Sequence, residues 1–191
     1  MKVTAFNGSP HADGNTAILL RAALAPIAAA GIDTELVQVG GTAIHGCRAC
    51  MQCAVRKDRR CAFNDDPFNA MLETMLASDG ILLGSPSYFS SVTPELKALI
   101  DRAGFVSVVN GGALARKVGA AVCAQRRGGG VQVMNTINQL YLMSRMIVPG
   151  STYWNFGVGR EPGDVASDQE ALANMQDLGT TIAWLLVRMQ G

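Results

Sequence analysis

Charge is what this sequence has little of. Across 191 residues, 16 Lys and Arg oppose 15 Asp and Glu, leaving a formal net charge of +1. No whole-chain field favours nucleic acid or a lipid surface, so neither nucleic acid nor a membrane is expected as a partner. Long apolar runs are missing too. No stretch reaches the ~18 unbroken apolar residues that a transmembrane helix requires. The opening "MKVTAFNGS" lacks the apolar core and small-residue cleavage site of a secretory signal. A cytoplasmic location is the resulting expectation. Thiols in that compartment stay reduced, which argues against a structural disulfide framework. Internal repeats, low-complexity tracts and linkers are absent as well, so residues 1–191 read as one domain.

What the chain does have is apolar residues, 49% of the total, a share that suits a sheet buried on both faces. "KVTAFNGS" predicts a first strand ending in a turn, and "TAILLRAALAPIAAA" a helix capped by Asn15 or Thr16. Pro26 should kink that helix or loosen its last turns. "DTELVQV" alternates as a second strand. After a cysteine-rich loop at about 42–64 comes the helical "DDPFNAMLETMLAS". "GILLGS" predicts a third strand and "TPELKALIDRA" a helix with Thr93 as cap and Pro94 at its first position. "KVGAAVCA" follows as a fourth strand, "VQVMNTINQLYLMSRM" as a helix, "IVPGSTYWN" as a fifth strand, and the tail from Ala166 as a long amphipathic helix despite Gly179.

Five alternations of strand and helix predict an α/β fold: a doubly wound, five-stranded parallel sheet in three layers, with the flavodoxin-like order 2-1-3-4-5. Ligands bind such sheets at the carboxyl ends of the strands, so the loops there carry the functional information.

The loop after the first strand, "GSPHADGNT", is neither a P-loop nor G-x-G-x-x-G. It leads Ser9, Asn15 and Thr16 into a helix N-terminus, where unpaired N–H groups and the macrodipole suit a phosphate monoester. A plainly capped helix start is the alternative. The loop after the third strand, "GSPSYFSSVTPE", offers Pro86, hydroxyls at Ser87, Ser90 and Ser91, and adjacent rings at Tyr88 and Phe89. In a chain only 6% aromatic, two rings at a strand end point to a planar ligand, the plainer reading being that one ring packs in the core. After the fourth strand, "CAQRRGGGV" lets the backbone approach a flat ligand closely, or is simply a flexible turn.

"NGSPHADGNT", "GSPSYFSSVTPELKALIDR" and the glycine run after the fourth strand together resemble the flavin-reductase branch of the flavodoxin superfamily. The likeness is stronger still to the iron-sulfur flavoproteins and their NAD(P)H-dependent FMN reductase relatives, and it extends over nearly the whole chain. The resemblance implies an FMN whose phosphate sits on Ser9, His11, Asn15 and Thr16. It places the flavin ring along Pro86, Ser87, Tyr88, Phe89 and Ser90, near the loop holding Gln125, Arg126 and Gly128. Relatives often carry Arg or Lys where His11 stands, so charge on the phosphate becomes pH-dependent here.

Four of the five cysteines lie in "GCRACMQCAVRKDRRC". Cys47, Cys50 and Cys53 have the spacing of the first three ligands of a bacterial ferredoxin loop, but Cys61 follows after seven residues and without the usual proline. The residues leave a 4Fe–4S cluster, a structural zinc, reactive thiols and an unused remnant all open. Resemblance to the iron-sulfur flavoproteins implies the cluster, held by Cys47, Cys50, Cys53 and Cys61. The basic run "RKDRR" reads as a docking patch or, more plainly, as a solvated loop, and His45 as structural. Cys123, at the end of a buried strand, is expected to be a small filler.

These expectations amount to an FMN-dependent oxidoreductase that takes hydride from NAD(P)H and passes electrons to a small-molecule acceptor (a flavin or quinone) or a redox protein. No side chain is assigned as a catalytic acid or base. A non-enzymatic electron carrier and a thiol or flavin redox sensor are the alternatives. The family and the Met-rich helices imply a homodimer or homotetramer.

Overall fold

In the computed structural model, which describes residues 1–190, five strands form one parallel sheet. They are β1 (Lys2–Asn7), β2 (Asp33–Gln38), β3 (Gly80–Pro86), β4 (Val118–Gln125) and β5 (Phe156–Val158), in the expected order β2-β1-β3-β4-β5. Phe6 of β1 pairs with Val37 on one side and Leu83 on the other. β4 is buried along its whole length, as is β3 up to Pro86, which is why both are continuous apolar runs without alternation.

Helices α1 (Asn15–Ala29) and α6 (Gln169–Met189) cover one face, where Leu19, Leu20 and Ile27 pack with Leu82, Leu178 and Ile182. Helices α3 (Phe68–Ala77), α4 (Pro94–Val109) and α5 (Gly130–Met143) cover the other, around Phe6, Leu72, Leu83, Leu99 and Ile137. The single turn α2 (Gln52–Arg56) lies within the cysteine loop. Tyr141 of α5 is fully buried, and its hydroxyl reaches the carbonyls of Ala120 at 3.0 Å and Ile81 at 3.2 Å. Burial holds the phenol well above its ordinary pKa, so it remains a donor.

Three local expectations need correction. The fifth strand lies at Phe156–Val158 and not in "IVPGSTYWN". Ile147 makes only an isolated bridge to Val118, Pro149 offers no N–H, and Asn174 of α6 holds Tyr153 and Trp154 in a loop through their backbones. Neither Asn15 nor Thr16 caps α1; the cap position is Gly14 and no side chain fills it. Thr93 does stand at the cap of α4, but its hydroxyl donates to the Gly8 carbonyl at 2.7 Å and ties α4 to the first loop. Pro26 falls in the last turn of α1, which continues to Ala29. Among the described residues, no helix is long and apolar enough to cross a membrane.

Candidate cofactor site

The turn after β1 is fixed from beneath. Buried Asn7 donates to Gln38 Oε1 at 2.8 Å and to the His11 carbonyl at 3.2 Å, and it accepts from the Ser9 N–H at 3.1 Å. Ser9 Oγ in turn accepts from the His11 N–H at 3.1 Å. A side chain on Gly8 would run into the Gly84 carbonyl, only 2.8 Å from an ideal Cβ, so the turn lies directly against β3. Helix α1 then opens with no side-chain cap and no acidic residue in its first turn. Its first-turn N–H groups therefore lack a partner from their own capping residue.

Above this turn is a cavity of about 240 Å³. Ser9, His11, Asn15 and Thr16 line it from the first loop, Pro86, Ser87 and Tyr88 from the second, and Arg126 from the third. The loop after β5 adds Arg160, which sequence reasoning missed. Its cause is the misplaced fifth strand: once β5 is set at 156–158, the rule of strand ends leads directly to Arg160. Asn15 brings that loop in. Its carboxamide donates to the Glu161 carbonyl at 3.0 Å and accepts from the N–H groups of Gly163 at 2.9 Å and Val165 at 3.3 Å. The Asn15 side chain thus ties the loop after β5 to the cavity that it also lines.

Four expected residues lie outside the lining, each for an identifiable reason. Gln125 is buried, and its Oε1 accepts from Gly130 N–H at 2.8 Å, capping α5. Gly128 contributes its carbonyl to Ser87 Oγ, at 3.1 Å. Phe89 and Ser90 form the centre of a tight turn, with φ of 47° and 59°, closed by reciprocal 3.0 Å bonds between Tyr88 and Ser91. Phe89 is fully exposed and Tyr88 about half so, which means neither ring is core packing.

The four loop cysteines line a second, smaller cavity of about 20 Å³, room for roughly one water, together with Arg102 and Phe105 of α4. Cys47 and Cys50 are exposed, Cys61 is half-buried and Cys53 is buried. Burial pushes the Cys53 thiol up, and the nearby Cys61 and Cys50 add to that against a local backbone hydrogen bond. Among the described residues, no three or more His, Cys, Asp or Glu side chains converge as a metal-binding set. Thiols have no mutual attraction that would close the set, so packing decides where each one points.

The loop backbone takes an uncommon path around Cys50. Ala49 and Met51, flanking Cys50, are left-handed with φ of 52° and 60°, a conformation uncommon for non-glycine residues. Ala49 N–H donates to Cys47 Sγ at 3.5 Å. The basic run is solvated, with Arg56 paired to Asp58 and Arg60 to Glu73. Cys123 is buried and its thiol pushed up to about 12, an inert filler as expected.

A family model described as NADPH-dependent FMN reductase matches residues 1–161. The chain belongs to that family. Within it, the chain is 37% identical over 190 residues to an iron-sulfur flavoprotein of Methanocaldococcus jannaschii, covering 96% of each chain. It is 32% identical over 166 residues to an iron-sulfur flavoprotein of Methanosarcina thermophila, covering 86% of this chain and 85% of that one. A WrbA-like flavodoxin of Agrobacterium tumefaciens superposes with a TM-score of 0.68 at 11% identity, covering 98% of this chain and 97% of that one, a likeness of fold. This member of the FMN reductase family is therefore a redox flavoprotein with FMN as its cofactor.

Proposed function

We propose that this flavoprotein is an NAD(P)H-dependent oxidoreductase that binds FMN in the 240 Å³ cavity and passes electrons on through the cysteine loop. One observation carries the reading: an uncapped helix N-terminus faces a cavity lined by Arg126, Arg160 and His11, with Tyr88 at the same cavity. The cations and the first-turn N–H groups of α1 would take the phosphate, with Ser9 and Thr16 supplying hydroxyls. Pro86, Ser87 and Tyr88 would border the ring. Ser87, bonded to the Gly128 carbonyl, sets the distance between the two loops on either side of it. When bound, FMN supplies hydride and single-electron chemistry that no side chain here offers.

The donor chemistry of the cysteine loop suits a 4Fe–4S cluster: four soft ligands, an N–H donating to sulfur, a clamp-like backbone and a cation beside them. Cys47, Cys50, Cys53 and Cys61 would hold it after the thiols turn inward, and it would carry electrons singly to the acceptor. The two cavities share no lining residue. A homodimer or homotetramer would let the cysteine loop of one copy serve the flavin of another.

The donor half of the proposal is tested by mixing the FMN-loaded protein anaerobically with NADH or NADPH. Rapid loss of the oxidised flavin band, with repeated turnover when a quinone is added, is the expected result. No reduction by either nucleotide would overturn the hydride donor and leave a carrier fed by a redox protein.

A further inference from the structure

The cysteine cavity also holds a buried cation. Arg102, in the middle of α4, is 3% exposed, and its partner Asp66 has a fully buried side chain. The guanidinium is held on three sides. Nη1 donates to Asp66 Oδ2 and, at 3.0 Å, to the His45 carbonyl, while Cζ lies 3.9 Å above the Phe68 ring. Asp66 is fixed in turn by the His45 N–H at 2.9 Å and the Phe68 N–H at 3.2 Å. With so many anchors the planar head has little freedom left. Yet Nη2 is buried with no hydrogen-bond partner. Arg102 lines the cavity with Cys61, the thiol its guanidinium interacts with there, although no geometrically formed hydrogen bond satisfies Nη2.

A buried, unpaired cationic donor costs about 1–3 kcal/mol or more and persists where a partner is to be met. Other charges at this cavity are already matched: Arg48 pairs with Asp65 at 3.2 Å and stacks on Phe63. The unmet donor is therefore specific to Arg102.

We propose that Arg102 is a positioning residue for an anionic iron–sulfur cluster, donating through Nη2 to sulfur on the Cys61 side and favouring its reduced form. The inference rests on the reading of the cysteines as cluster ligands. Four thiolates and an iron–sulfur core carry net negative charge, and a one-electron reduction makes it more negative. A fixed cation that donates to sulfur stabilises the reduced state more than the oxidised one. Asp66 keeps the guanidinium aimed, and although it borders the same cavity its ionised carboxylate has no proton to donate to sulfur in the arginine's place.

Removing Arg102 alone would strand a buried carboxylate, so the informative variant is Arg102→Met combined with Asp66→Asn. Wild type and double variant are purified anaerobically, counted for iron, sulfide and FMN, and titrated to the cluster midpoint potential by electron paramagnetic resonance. The expected result is full FMN and full iron in both. The variant's midpoint falls by about tenfold in the reduction equilibrium, ~59 mV for a one-electron couple. An unchanged midpoint at full iron overturns the proposal. Loss of iron with FMN retained also overturns it, because Arg102 would then be scaffold for the loop. Wild-type protein with FMN but no iron brings down the cluster reading itself, a failure visible before the variant is made.

Discussion

The Ser87 hydroxyl donates to the Gly128 carbonyl at 3.1 Å, joining the loop after β3, which lines the cavity proposed for FMN, to the loop after β4. Next to this bond, Gly129 has φ of +90°, and a Cβ there would lie 2.9 Å from Ser90 Oγ and closer still to Ser87 Oγ. Gly129→Ala should therefore push the two loops apart. FMN should bind about tenfold more weakly, a change of ~1.4 kcal/mol, with Ser87→Ala showing a smaller effect in the same direction. Fluorescence titration of the apoprotein with FMN checks both.

Arg126 and Arg160 reach the cavity from the ends of two different strands. If they face the phosphate, replacing both with Ala should cost about 1.5–3 kcal/mol of FMN binding for each bond lost, while riboflavin binding stays unchanged. Equal losses for FMN and riboflavin would move the two arginines away from the phosphate.

Asp66 predicts a pH dependence. Burial alone would raise its carboxyl, but the hydrogen bond from Arg102 and the N–H groups of His45 and Phe68 outweigh that and hold it below the ordinary value. A folded pKa below the unfolded one means that the unfolded chain takes up the proton first. The contribution to stability is then complete above the unfolded value of about 4 and drains away as pH falls through the folded value. Denaturation midpoints should drop in that acid range for the wild type and change less for Asp66→Asn. At neutral pH the variant should be less stable by about 3–5 kcal/mol, since it breaks a buried pair.

Gly179 of α6 lies against α1 so closely that a Cβ would run into the Ala23 carbonyl and come within 2.6 Å of Pro26 Cγ. Alanine normally favours a helix by about 1 kcal/mol over glycine. Here the clash is with backbone, which yields little, so Gly179→Ala should destabilise by about 1–3 kcal/mol. Thermal or urea unfolding gives the sign directly.

Much of this was legible in the residues because the sheet is parallel and buried. "GILLGS" and "KVGAAVCA" have few alternatives to central strands, and their order fixes where the loops gather. The short edge strand was not legible. Phe156–Val158 is three residues long, and its position depends on Asn174 holding the preceding loop, a contact made across the fold. Losing that strand hid Arg160. The loop sequence gives no sign that the Asn15 carboxamide also bonds residues 161–165, which lie nearly the whole chain away. Arg102 gave no local signal at all: an arginine in an amphipathic helix reads as a surface charge until its burial and its partner from before α3 are seen.

The most direct test of the account counts cofactors. The protein is purified without oxygen, and FMN, iron, sulfide and zinc are measured per chain alongside the visible spectrum. One FMN with about four irons and four sulfides is the predicted result, and the broad absorbance of the cluster should disappear when Cys53→Ala removes the buried ligand. FMN with zinc or with no metal would contradict the electron path through Cys47, Cys50, Cys53 and Cys61, leaving a flavin reductase whose cysteines do other work.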